Sequence, residues 1–202
     1  MQDKIFFDCQ GLTLEGRLTD LDPFKAAVIT HPHPLYGGDM NNLVVETVAK
    51  AYHRKGWSTL KFNFRGTGAS EGRYDNGDGE QKDIDAAVSW LKSNRFEQID
   101  LAGYSFGAWV LARWSRKNRH HQHRIRFVAP PVAFLDFSGV EVITGLSQVV
   151  VGARDEIAPA DQVGRLIRSW QPEAELDIIA NADHFFGGHL TTLQQRIEQH
   201  VD

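Results

Sequence analysis

Cysteine is almost missing from this 202-residue chain: Cys9 stands alone, which excludes an intramolecular disulfide and a cysteine-based metal cluster. A basic excess is missing too. Lys and Arg number 22 against 26 Asp and Glu, a net charge of -4, and no basic stripe interrupts the pattern, so the electrostatic footprint of a nucleic-acid binder is absent. No stretch approaches the roughly 20 apolar residues that a membrane span requires. Residues Met1 to Asp8 lack the apolar run of a signal peptide. The expectation is a soluble cytoplasmic protein with neither nucleic-acid nor membrane partners. What remains is ordinary globular material, 42% hydrophobic and 24% charged. It suffices for one compact domain over residues 1–202, with no repeat, low-complexity tract or linker.

Local patterns give the order of elements. Lys4 to Cys9 and Leu12 to Leu18 alternate weakly around Gln10-Gly11 and read as a hairpin. Lys25 to Thr30 is a short apolar run, typical of a strand covered on both faces. Asn41 or Asn42 caps a helix that runs to about Lys55, where Gly56 closes it. Strands follow at Trp57 to Phe64, Ile99 to Ala102, Ile125 to Ala129, Gln148 to Val151 and Glu175 to Ile179. Between and after them, helices are expected at Glu80 to Ser93, from Ala108 onward, at Ala160 to Trp170 and at Leu190 to Val201. Alternating strands and helices predict an α/β class: a mostly parallel sheet with helices on both faces and an antiparallel N-terminal hairpin.

One pentapeptide decides the chemistry. Gly103-Tyr104-Ser105-Phe106-Gly107 matches G-x-S-x-G between an expected strand and an expected helix. A sharp strand-to-helix turn there pushes the serine oxygen above the sheet. Side chains at 103 and 107 would collide with the neighbouring strand and helix, hence the glycines. A serine hydroxyl needs a base to become a nucleophile. The loops after the last two strands supply one each of the partners required: Asp155 to orient an imidazole, and His184 to carry the proton. Asp183 is a rival carboxylate and His189 an alternative imidazole. A developing oxyanion needs two N–H donors, each worth about 3–4 kcal/mol. Phe106 N–H is one. The second comes from His31-Pro32-His33-Pro34-Leu35, where the prolines have no N–H; His33 is the first candidate and Leu35 the second.

Taken together, the chain resembles the serine-nucleophile α/β-hydrolases, specifically small capless bacterial members near the dienelactone hydrolases. The resemblance rests on His31 to Gly38, Asn63 to Gly72, the pentapeptide, the Asp155 loop and Ala182-Asp183-His184-Phe185-Phe186. It implies the α/β-hydrolase fold and ester hydrolysis through an acyl-enzyme, with a small ester as partner and no metal or organic cofactor. It does not carry over dienelactone as the substrate, because dienelactone hydrolases proper use a cysteine nucleophile, and here that place holds Ser105. Only Pro130 to Ser147 lies where lid-bearing relatives insert a cap, so an open site is expected. A thioesterase, a peptidase or a non-catalytic binding module on the same fold are the alternative readings, and a homodimer is left open. Phe134, Leu135 and Phe137 either wall the site or fill the core. Arg65 and the glycines after it read as a structural turn, and His120, His121 and His123, set among arginines, as a solvated polar loop.

Overall fold

The apolar runs become strands because neighbours cover both of their faces: every residue from Ala26 to Thr30 and from Ser58 to Phe62 is buried. The computed structural model describes residues 2–202. Its elements in chain order are β1 (Gln2–Cys9), β2 (Leu12–Thr19), β3 (Lys25–Thr30), α1 (Leu43–Arg54), β4 (Ser58–Phe62), α2 (Asp78–Ser93), β5 (Gln98–Tyr104), α3 (Phe106–Lys117), β6 (Ile125–Val128), β7 (Leu146–Gly152), α4 (Ala160–Trp170), β8 (Glu175–Ile179) and α5 (Leu190–Glu198). The strands form one sheet in the order β1-β2-β4-β3-β5-β6-β7-β8. Pairing is parallel from β4 through β8, and antiparallel for β1 with β2 and for β2 with β4. This is an α/β-hydrolase fold with the expected antiparallel hairpin at its edge. Helices flank the sheet, α1 packing on α5 and α2 on α3. Between β6 and β7 the chain forms no helix, so nothing builds a lid.

The strand order reverses at the centre. From β3 the chain moves one way to β4, then crosses back to β5 on the other side. At such a switch point the loops at the carboxyl ends of the two central strands splay apart and open a crevice. The loop after β3 and the turn after β5 therefore face each other across the same crevice.

Several element ends differ from the sequence reading, each for a local reason. At the end of β4, Asn63 still donates its N–H to Glu15 O on β2 at 2.9 Å, and the ladder ends one residue later because Phe64 N–H is taken by His31 Nε2 at 3.0 Å. α2 starts at Asp78 because Glu80 bonds the N–H groups of Gly77 and Asp75, both at 2.8 Å, and closes the turn ahead of it. Asn42, not Asn41, caps α1, through Val44 N–H at 2.9 Å.

The histidine-rich segment is a correction. His121 and His123 are half-buried, stacked on each other at 5.6 Å and packed against Trp114. His121 Nδ1 accepts the His123 N–H at 3.1 Å, and burial lowers the pKa of both rings. The Trp114 indole gave these rings a packing surface that composition alone did not reveal.

Arg65 is held in the core by Asp83. Its guanidinium donates to the carboxylate at 2.6 and 3.0 Å, and its backbone N–H donates at 2.9 Å. The same carboxylate accepts from Cys9 at 3.3 Å, and burial pushes that thiol up to about 12, leaving it inert. Asp83→Ala strands a buried guanidinium and should cost about 3–5 kcal/mol. Urea unfolding measures it, as a lowered midpoint at unchanged slope; a midpoint equal to wild type would contradict it.

Candidate active site

Ser105 sits on the turn between β5 and α3 at φ 52° and ψ -118°, a left-handed conformation that a serine adopts at a cost of about 1–3 kcal/mol. Packing enforces it. A Cβ on Gly103 would lie 2.7 Å from the backbone of Gly107 and Ala108, and one on Gly107 would lie 2.5 Å from Thr30 Oγ1. α3 is thus drawn down onto β3 and β5, and Ser105 N–H is tied to Val128 O at 2.9 Å. The hydroxyl stands at the carboxyl end of the central strands.

His184 and Asp155 reach it from two loops that are locked together. Arg154 N–H donates to Ala182 O at 2.8 Å and Ala153 N–H to Ile179 O at 2.9 Å. Gly152 permits the approach, because a Cβ there would lie 2.3 Å from Ala182 O. His184 Nε2 lies 2.9 Å from Ser105 Oγ, and His184 Nδ1 lies 2.8 Å from Asp155 Oδ2. Asp155 Oδ1 accepts from Ile157 N–H at 2.9 Å and Ala158 N–H at 2.7 Å, which fixes the carboxylate in the plane it needs. All three side chains are buried. Asp183 instead accepts from Phe185 N–H at 3.0 Å within its own loop, and His189 precedes α5 as its cap residue.

Opposite the serine stands the loop after β3. His33 O accepts from both Tyr36 N–H and Gly38 N–H, and Gly38 has no room for a Cβ, which would lie 2.2 Å from Pro32 O. Among the described residues, the N–H groups of His33 and Phe106 have no protein acceptor. Both residues line the cleft, with their rings 4.7 Å apart. Leu35 differs: its N–H is donated to His33 Nδ1 at 3.3 Å, and its side chain is exposed. The cleft has a volume of about 410 Å³. Phe134 and Leu135 line it, whereas Phe137 belongs to the core.

Comparison with known proteins supplies the rest. No family profile matches the chain. It is 35% identical over 195 residues to an uncharacterized protein of Rickettsia prowazekii, covering 91% of this chain and 82% of that one. An α/β serine hydrolase homologue from Coxiella burnetii is 34% identical, with a TM-score of 0.90 over 99% of this chain and 97% of that one. The chain belongs to the α/β serine hydrolases. A lidless member from Xanthomonas campestris is 29% identical at a TM-score of 0.88, over 98% of this chain and 92% of that one.

The hydrolase carries supporting residues that sequence reasoning did not reach. Tyr104, inside the pentapeptide, donates its buried hydroxyl to His184 O at 3.1 Å, and burial raises its pKa so that it stays a donor. His31 is wholly buried; its Nε2 accepts from Phe64 N–H and its Nδ1 donates to Pro32 O at 2.7 Å. Burial lowers its pKa to about 4, so this neutral clamp on the loop holds across ordinary pH. Asn63 takes the far end of the loop, accepting from Met40 N–H at 2.9 Å while donating to Glu15 at 2.8 Å. Thus the Asn63 to Gly72 segment, beyond being a turn, anchors the loop that carries His33. The signal was the polar pair His31 and Asn63 at the ends of two apolar strands, where an unpaired polar group would be costly.

Proposed function

We propose that this hydrolase cleaves small carboxylic esters through an acyl-enzyme, with Ser105 as nucleophile, His184 as proton carrier and Asp155 as the group that orients it. The reading rests on one observation: an unbroken hydrogen-bond chain from Ser105 Oγ through His184 to Asp155, on the floor of an open cleft. Ser105 Oγ attacks the ester carbon as His184 Nε2 takes its proton. The carbonyl oxygen becomes an oxyanion held by the N–H groups of Phe106 and His33, the latter favoured over Leu35 because Leu35 N–H already has an acceptor. His184 then gives the proton to the departing alcohol. Water, activated by the same imidazole, attacks the acyl-serine and frees the acid.

Phe106 N–H opens α3, so the helix adds its positive end to the oxyanion site. His33 is held by hydrogen bonding of its own carbonyl, which presets its N–H before substrate arrives. Preset donors stabilise the transition state without a reorganisation cost.

Thioesters and peptides use the same acyl-transfer chemistry, so the test compares them. With matched acyl groups, kcat/KM should rank ester above thioester and thioester above amide. A fluorophosphonate should label the protein once per chain, at Ser105. A folded sample that neither takes the label nor turns over any of the three would overturn the proposal in favour of a non-catalytic module.

A further inference from the structure

We infer that the ester this site accepts has an uncharged aromatic acyl group, packed against the paired rings of Tyr36 and Phe134. The inference rests on the hydrolase reading above and names its substrate class. Its first support is the chemistry of the cleft wall. Among the lining residues there is no Asp, Glu, Lys or Arg. The wall offers Tyr36, Phe106, Phe134, Leu135, Ile157 and Phe185. Burial lowers the pKa of His33, the remaining titratable ring beside the pair, so it adds no fixed positive charge. A carboxylate, phosphate or ammonium entering here would lose water and meet neither a carboxylate nor a Lys or Arg cation among the lining residues.

The second support is the placement of the aromatic rings. Tyr36 and Phe134 are 73% and 56% exposed, large apolar surface left in water at one mouth. They come from different loops, Tyr36 from the segment carrying His33 and Phe134 from the lidless segment after β6. Their ring centroids are 6.0 Å apart at 67°, an edge-to-face pair across the entrance. His33 continues the aromatic surface inward, 4.9 Å from Tyr36 and 4.7 Å from Phe106. A planar ring lying along this surface finds ring faces and edges to pack on.

The third support separates the two halves of the ester. His184 must protonate the leaving alcohol, so the alcohol lies beside His184 and its edge-on neighbour Phe185, 5.5 Å away. That leaves the acyl half toward the Tyr36 and Phe134 side. The volume of about 410 Å³ admits one ring on a short linker with a small alcohol, and excludes a long chain or polymer from full burial.

The test uses ethyl esters of four acids, acetic, hexanoic, 3-phenylpropanoic and the half ester of succinic, followed by titration of released acid. The phenylpropanoate should exceed the acetate in kcat/KM by about tenfold or more, and exceed the hexanoate. The anionic succinate half ester should trail all three. Tyr36→Ala and Phe134→Ala should each erode the phenylpropanoate advantage over acetate by about tenfold, mainly through KM, while Tyr36→Phe and Phe134→Tyr retain it. Equal turnover of hexanoate and phenylpropanoate, a succinate half ester as good as either, or alanine variants that keep the preference would each overturn the aromatic assignment and leave the ester reading intact. If wild-type protein turns over none of the four and resists fluorophosphonate, the ester reading falls and this inference falls with it.

Discussion

Replacing Ser105 with alanine is expected to lower kcat on any ester by about a million-fold and to abolish fluorophosphonate labelling. The magnitude follows from what is removed. In the proposed mechanism the Oγ is the atom that bonds to substrate, and no other hydroxyl lies within hydrogen-bond distance of His184 Nε2 among the described residues. Cys9 cannot substitute, since its thiol is buried against Asp83 and pushed up to about 12. What survives is the slow attack of water on an ester polarised by Phe106 and His33. Folding should be little affected, because alanine keeps the Cβ and the left-handed backbone is imposed by Gly103, Gly107 and the tie to Val128. Circular dichroism and the unfolding midpoint check that point, and steady-state turnover checks the rest. An alanine variant within tenfold of wild type would end the assignment of Ser105 as nucleophile.

Much of the fold was readable because local and global demands agree. Ala26 to Ile29 are apolar without a break, which suits a strand covered on both faces, and they pair with β4 on one side and β5 on the other. α1 carried a cap at Asn42 and a closing glycine at 56, and the helices lay between apolar strand runs, so their existence was secure even where their ends moved. Ends moved where a side chain took up backbone N–H groups, as at Phe64 and Glu80. The glycines of the pentapeptide were readable for a steric reason, and the contacts of 2.5 and 2.7 Å awaiting a Cβ at 107 and 103 give that reason its measure.

What the sequence hid is long-range polar pairing. Glu15, Asn63, Ser70 and Met40 are spread over fifty-five residues and meet in one buried cluster, in which Ser70 Oγ donates to Asn63 O at 2.7 Å. No periodicity encodes such a meeting, because hydrogen-bond partners need only complementary chemistry and proximity. Gly152 is a similar case. In the sequence it is a glycine after a strand; in the fold it is the gap through which the two loops bearing Asp155 and His184 touch. Arg65 and Asp83 tie the segment after β4 to α2, and Tyr74, farther along the same connection, packs on His33 at 5.1 Å. The stability of the core and the rigidity of the loop carrying His33 are thereby linked through one stretch of chain.

Asp155→Asn is expected to lower kcat by about ten-thousand-fold while leaving the fold and KM near wild type. The argument turns on which atom of the new amide faces which partner. In the native protein Asp155 Oδ1 accepts from two backbone N–H groups, those of Ile157 and Ala158, and Oδ2 faces His184 Nδ1. An asparagine must keep its carbonyl oxygen toward the two N–H groups, since turning its NH2 there would set donor against donor. The NH2 then faces His184 Nδ1, which becomes an acceptor. The imidazole proton moves to Nε2 and points at Ser105 Oγ. A protonated Nε2 on a neutral ring has no lone pair to receive the serine proton, so the base is silenced by its tautomer with every atom in place. Nitrogen-15 chemical shifts of His184 should report the exchange of protonated and unprotonated nitrogens, an effect that simple loss of packing does not produce. Asp183→Asn provides the contrast. Its oxygen caps Phe185 N–H and Gly187 N–H, a task an amide oxygen performs equally well, so turnover should stay within about twofold of wild type. If the asparagine at 183 proved crippling and that at 155 harmless, the roles of the two carboxylates would have to be exchanged.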